Sequence, residues 1–355
     1  MGRKEKVAME MGVGLDATLN LTWDEQARVA QEAARLGYTS IWTNETAGHD
    51  GFQVCVHRWA ASKATIERGL TTGIAVSPVY LRTPLALAMS AGTTSELTGG
   101  RFILGIGSGS IYRAAIRRSL GLPQLATLSL MKDYLTILRD LLGGKNVTYE
   151  GKALALQGVR LALQPSPNTP IYLGALGPKM LRMAGELADG AVLNWCTPEQ
   201  VSWSRGQISE GAARAERDPF NVKVVEYIRV CIDEDIDLAR HSLARSVIPY
   251  ALSPRGATEG ERGLGYRAHF ERMGFGKELS NLERMRDGGA PSEKVADAFP
   301  PDLLQKVGYY GSSAGAAKAL KKLAEGLDVA IVRVVAARPG VSSVLSALHA
   351  CGPVS

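Results

Sequence analysis

Two carboxylates stand where strand-like runs of this sequence end: Asp16 closes Val7–Asp16, and Glu45 follows Ser40–Thr43. A carboxylate in such a place can exchange a proton with a bound molecule or hydrogen-bond a cofactor. It can equally cap the next helix, and neither residue alone decides between the two. Their joint occurrence at adjacent strand ends favours chemistry. Two glycine-rich turns also follow strand-like runs: Gly105-Ile106-Gly107-Ser108-Gly109-Ser110, and Gly174-Ala175-Leu176-Gly177-Pro178-Lys179-Met180. In the first, missing side chains let backbone N–H groups approach a ring or a phosphate. It lacks the third glycine of a dinucleotide fingerprint and the Lys-Ser/Thr of a nucleotide loop, so a purely steric turn stays open. The second runs into a helix start, where free N–H groups and the positive dipole end attract anions, and Lys179 adds a point charge. An ordinary connection with Lys179 in solvent is its other reading.

The remaining reactive types are sparse. His49 and Asp50 share a loop and could orient a substrate or pass a proton, or stand in solvent. His57, His241, His269 and His349 have no ligand spacing, and Cys55, Cys196, Cys231 and Cys351 form no Cys-x-x-Cys pair. No metal site is expected, and the thiols read as the reduced cysteines of a cytoplasmic protein. No Gly-x-Ser-x-Gly elbow is present, which argues against an α/β-hydrolase.

The elements that must position these residues alternate along the chain. Strands are predicted at Val7–Asp16, Ser40–Thr43, Thr71–Ser77, Arg101–Gly105, Pro170–Gly174, Gly190–Asn194, Val222–Ile232 and Val329–Ala336, with amphipathic helices between them. Thr22 and Glu25 form a capping box that opens one helix, and Gly37 closes it. Thr83-Pro84 and Gly177-Pro178 punctuate two further helix starts. Eight strands of this kind form either an open doubly wound sheet or a closed (β/α)8 TIM barrel, and periodicity does not separate them. Count and length favour the barrel, which takes ~250 residues plus insertions. The surplus falls in a hairpin at Asn146–Leu163 and in Ser253–Gly308, rich in Gly, Arg and Glu, which reads as irregular structure with short helices that could form a lid. One domain over residues 1–355 is expected. In either architecture ligands bind beyond the C-terminal strand ends.

The 355 residues are 45% hydrophobic and 21% charged, with a formal net charge of +6. Apart from Arg113, Arg117 and Arg118 the cations are dispersed, which disfavours a nucleic acid and favours an anionic small molecule as partner. The charged start, Met1-Gly2-Arg3-Lys4-Glu5-Lys6, resembles no secretory leader, and no apolar run is long enough to cross a bilayer. A cytoplasmic protein is expected.

Together these strand ends resemble the luciferase-like barrel family, in its deazaflavin-dependent branch. The resemblance runs from about Val13 to Ala336 and is densest in Ile171-Tyr172-Leu173-Gly174-Ala175-Leu176-Gly177-Pro178, Met180-Leu181, Ala184-Gly185-Glu186 and Asp189-Gly190-Ala191. These segments are most similar to methylenetetrahydromethanopterin reductases. Gly100-Arg101, Leu104-Gly105-Ile106-Gly107, Arg82-Thr83-Pro84 and Ile232-Asp233-Glu234-Asp235 match as well. The resemblance implies an oxidoreductase that binds coenzyme F420, with the ring on a bulge at Ala75, Val76 and Ser77 whose Ala75–Val76 peptide is cis. Thr46 and Gly107, Ser108 and Gly109 would flank the ring or its tail, and Gly174, Ala175, Leu176, Gly177, Pro178 and Lys179 would receive the phosphate end. Hydride would pass between deazaflavin C5 and an organic substrate, a methylenetetrahydropterin or another C=N or C=C compound. Asp16, where the reductases carry a glutamate, would be the proton donor and Glu45 the second catalytic carboxylate. Glu45-Thr46 stands where the family has Asp-His, and Ser110 where an acidic residue is common. An FMN-dependent monooxygenase of the same fold and a non-catalytic flavin-binding barrel are the alternatives, and a homodimer or higher oligomer is expected.

Overall fold

The computed structural model describes residues 9–111, 113–163 and 168–353. Eleven strands are present: β1 Glu10–Gly14, β2 Ser40–Thr43, β3 Thr71–Pro78, β4 Phe102–Gly107, β5 Val147–Glu150, β6 Ala155–Val159, β7 Ile171–Gly174, β8 Gly190–Asn194, β9 Lys223–Ile232, β10 Gly308–Gly311 and β11 Val329–Val334. Eight of them pair in parallel, in the order β9-β11-β1-β2-β3-β4-β7-β8, and the β8–β9 pairing closes the ring. With helices between the strands, this is the (β/α)8 barrel that strand count and length favoured over an open sheet. All eight predicted strands occur. The first stops at Gly14 because the Asp16 side chain caps the 3-10 turn Ala17–Leu19, accepting from the Thr18 N–H at 2.8 Å. Residues 7 and 8 of that predicted strand lie outside the described residues.

β10 was not anticipated. It lies along β9 through Gly308↔Arg229 to Gly311↔Ile232, on the edge that β8 leaves after Tyr227. β9 is therefore ten residues long and serves two neighbours in succession on one side.

The interior of the barrel is filled by few, large side chains. Trp42, Tyr172, Val192, Val225, Tyr227 and Ile331 form one cluster, and glycines on facing strands leave room for the rings. A Cβ on Gly73 would stand 2.4 Å from the Trp42 ring, and one on Gly14 would stand 2.6 Å from Tyr227. Both contacts are shorter than packing tolerates. Outside the strands, apolar helix faces close the larger core. The helix starts read from the sequence are present: Thr22 and Glu25 make the capping box, and Gly37 follows that helix at φ 86°. Thr83 caps Pro84–Leu97, and Gly177 precedes Pro178–Leu187.

β5 and β6 form the expected antiparallel hairpin. The second insertion contains the short helices expected of it. It holds helices Glu259–Arg262, Gly265–Arg272, Gly276–Asp287, Ser292–Asp297 and Pro301–Val307, with a core of its own. Phe270, Phe275, Leu279, Leu282, Val295, Phe299 and Leu304 are buried with Trp195 of the barrel mouth. These apolar residues sit at helical spacing among Gly, Arg and Glu, and it is their joint burial that the sequence did not reveal. Among the described residues no helix is long and apolar enough to cross a membrane.

Candidate active site at the barrel mouth

The glycine turns and the bulge meet at one point. β3 and β4 lose register between Ile74 and Ser77, and the Ala75–Val76 peptide is cis. The Val76 side chain packs so closely that a Cβ on Gly107 would stand 2.5 Å from its Cγ2, and one on Gly174 would stand 3.2 Å from its Cγ1. Three segments of different strands thus form a close-packed floor in which the Val76 side chain covers the two glycines, a surface of the kind a flat ring can lie against. Beyond it, Gly109 and Ser110 have φ of 57° and 65°. The left-handed conformation is costly for Ser110, and such strain concentrates where ligands bind. Ser108, between Gly107 and Gly109, is half-buried.

At the second turn, Ala175 is buried and its N–H donates to the Val192 carbonyl at 3.1 Å. Leu176, Gly177 and Pro178 are half-buried, while Lys179 is exposed at the helix start. Arg272, from the second insertion, donates to the Leu176 carbonyl at 2.8 Å and lies over Trp203. The insertion therefore touches the glycine turn directly. Thr46 is exposed on the loop after β2. His49 stacks on Trp23 with ring centroids 4.6 Å apart, which leaves the loop pair His49 and Asp50 divided between two tasks. Asp50 caps helix Gly51–Ser62 and bonds Arg82 at 2.5 Å.

The two carboxylates have different surroundings. Glu45 is buried and accepts four hydrogen bonds from three residues: Ser77 Oγ at 2.5 Å, Arg82 through both nitrogens at 2.7 Å, and the Gly51 N–H at 3.2 Å. With both oxygens so engaged, it anchors the bulge residue Ser77. Asp16 pairs with Arg333 and accepts from Thr18. Burial pushes its carboxyl up, but the Arg333 charge and these hydrogen bonds outweigh that and hold it below the usual carboxylate range.

Several residues of this mouth were missed by sequence reasoning. Arg333 and Arg229 point inward from β11 and β9. Asn194 and Trp195 follow β8, and Tyr250 and Tyr266 reach in from the segment after β9. The available signal was an arginine inside an otherwise apolar strand, Tyr227-Ile228-Arg229-Val230 and Ile331-Val332-Arg333-Val334. A buried strand tolerates such a residue only with a specific partner or use. Among the described residues no three His, Cys, Asp or Glu side chains are placed to hold a metal.

A closed parallel barrel with a bulged strand, two glycine turns and an arginine-bound carboxylate at its C-terminal mouth is an enzyme scaffold for a small molecule. The model of the luciferase-like monooxygenase family matches residues 7–329, and the chain belongs to that family. It is 32% identical over 252 residues to the 5,10-methylenetetrahydromethanopterin reductase of Archaeoglobus fulgidus, covering 68% of this chain and 73% of that one. Among solved structures, the coenzyme F420-dependent tetrahydromethanopterin reductase of Methanopyrus kandleri superposes with a TM-score of 0.75 at 21% identity, over 96% of this chain and 97% of that one. The FMN-bound oxygenating constituent of 3,6-diketocamphane monooxygenase from Pseudomonas putida shares the fold, with a TM-score of 0.64 at 17% identity over 98% and 97%.

Proposed function

We propose that this protein is an F420-dependent oxidoreductase that transfers a hydride between the deazaflavin and an organic substrate. The observation that carries the reading is the bulge floor where the Val76 side chain packs on Gly107 and Gly174, one rim of a mouth that also holds Asp16. A planar tricyclic ring suits such a floor, since a Cβ at Gly107 would displace Val76 and disturb its surface. When bound, the deazaflavin gives or takes a hydride at C5 without oxygen chemistry.

The chain's own residues divide the rest. Ala75, Val76 and Ser77 would support the ring, and Glu45, bonded by Arg82, holds Ser77 in place. Gly107, Ser108 and Gly109 flank the ring, and Thr46 stands at the rim. Gly174 to Lys179 receive the phosphate end through the N–H groups of the Pro178–Leu187 helix start and the Lys179 charge. Asp16 handles the proton. Held ionised by Arg333, it accepts a proton at Oδ in the direction of substrate oxidation and returns it, as donor, in the direction of reduction. A methylenetetrahydropterin or another compound with a reducible C=N or C=C bond suits this division, and a cytoplasmic homodimer accompanies the reading.

FMN is the second reading, favoured by the monooxygenase family model and by the FMN-bound relative of the same fold. The test is a direct competition. Purified protein titrated with each cofactor should bind F420 the more tightly, giving a complex that absorbs near ~420 nm and consumes no oxygen with substrate. Tighter FMN binding with oxygen uptake would overturn the proposal.

A further inference from the structure

Arg229 and Arg333 are register partners on adjacent strands, β9 and β11, and both side chains are 4% exposed. Like charges directly opposite each other on neighbouring strands repel, and burial deepens the cost. Among the described residues one carboxylate forms an ion pair with the two, Asp16 with Arg333, while Glu226 feels the Arg229 charge without pairing with it. Among the described residues Arg229 has no carboxylate within salt-bridge distance. Its guanidinium donates to the Asn194 side chain and to the Tyr227 carbonyl. It lies 4.1 Å from the Trp195 ring centroid and 5.6 Å from that of Tyr250. Aromatic faces and neutral acceptors offset part of the cost of a buried cation, but they leave its charge uncancelled.

Two further observations at the same place point to a missing acceptor. The indole Nε1 of Trp195 is buried and has no hydrogen-bond partner among the described residues, so a donor as well as a cation is unmet. Trp195 also has φ 57°, a conformation that costs a bulky residue and persists where the surroundings impose it for a use. Asn194 is in turn held by Tyr266, whose hydroxyl accepts from its amide at 2.6 Å. The arrangement is built from β8, β9 and the insertion, across the mouth from the glycine floor of β3, β4 and β7.

We infer that Arg229, with Arg333, Asn194 and Trp195 around it, binds an oxyanionic group of the substrate, a carboxylate or a phosphate. The substrate would then be an anion that presents its oxidisable or reducible carbon between this subsite and the ring floor. This inference rests on the barrel mouth being the active site, as proposed above, and adds the substrate class. Burial, with Arg333 beside it, pushes the Arg229 guanidinium down to about 10. A bound oxyanion would restore its ordinary affinity for the proton.

The test uses the full chain saturated with F420, so that the phosphate-end turn is filled, and titrates inorganic phosphate and acetate by calorimetry. Saturable one-to-one binding of at least one probe is expected, and the tighter probe identifies the group. Arg229→Gln should weaken it at least tenfold. Because a buried substitution can unfold the chain, Asn194→Asp provides an independent arm. It places an internal carboxylate against Arg229, so it should raise thermal stability while also weakening the probe at least tenfold. Wild-type protein that binds neither anion, or either folded variant binding as wild type does, overturns the inference. F420 affinity measured on the same samples is separate. Protein that binds phosphate through Arg229 yet ignores F420 breaks the cofactor proposal and leaves the subsite standing.

Discussion

Two sides of the barrel mouth each hold a carboxylate against an arginine, and they have been built for opposite ends. On the β2–β3 side, Glu45 and Asp50 answer Arg82, Ser77 fills a remaining acceptor site, and Arg82 lies 4.8 Å from the Phe52 ring centroid. That network is closed, with two carboxylates for one guanidinium. On the β9–β11 side the balance is reversed, with Arg229 and Arg333 against Asp16 alone. The contrast shows that an ion pair at a strand end has no fixed meaning. A saturated network fixes backbone geometry, here the bulge through Ser77. A network with surplus charge keeps capacity for a ligand. A third carboxylate completes the series. Glu226 faces the helix layer, accepts from the Cys196 N–H at 2.7 Å and has its other oxygen buried with no partner among the described residues. Burial pushes its carboxyl up to about 8, against the weaker pull of that hydrogen bond and of Arg229.

If this contrast is right, the largest effect belongs to Asp16. Asp16→Asn should lower turnover by ~10²-fold or more, the typical worth of a positioned acid–base group, with F420 affinity within a few-fold of wild type. Asp16→Glu should recover part of the rate. An unchanged rate in the asparagine variant would place Asp16 with Glu45 as a purely structural residue. Glu45→Gln should act mainly on the fold. Removing one partner of a largely buried pair leaves Arg82 under-compensated and costs roughly 2–4 kcal/mol, seen as a lower denaturant midpoint. Turnover per folded molecule should fall less than in the Asp16 variant, and the reverse order would erase the distinction between the two sides.

The smallest effect is a slope. Because the Glu226 carboxyl is raised in the folded state, the native protein holds a proton that the unfolded chain releases between its ordinary pKa of 4.5 and about 8. Stability should therefore fall as pH rises through that window, by up to ~1.4 kcal/mol per pH unit from this group. Glu226→Gln should match wild type near pH 4.5 and gain on it steadily towards pH 8, read from thermal midpoints. His269 works in the opposite sense. Burial pushes it down to about 4, so its contribution is lost as pH falls from 6.5 through 4. A Glu226→Gln advantage that does not grow with pH would mean that the side chain is solvated and paired.

Much of the scaffold was legible in the residues. β-branched runs, Thr and Pro at helix starts and Gly37 after the first long helix are local signals, and local signals survive folding unchanged. The turns at Gly105–Ser110 and Gly174–Met180 were found for the same reason. The strand β10 escaped notice because Gly308-Tyr309-Tyr310-Gly311 is short and pairs only where β8 has ended. In Ser253–Gly308 short helices were legible but their shared core was not, because which apolar faces meet depends on tertiary packing.

By itself, then, the sequence determined the alternation of strands and helices, their caps and the glycine turns, because each depends on neighbours a few positions apart. Only the tertiary structure decided which partner each carboxylate meets. Asp16 finds Arg333, 317 positions away, and Glu45 finds Arg82, 37 positions away. The convergence of Gly107 and Gly174 on Val76, and the placing of Arg229 beside Arg333, follow from barrel closure. Register across eight strands sets those distances, and register is a property of the closed sheet rather than of any segment within it.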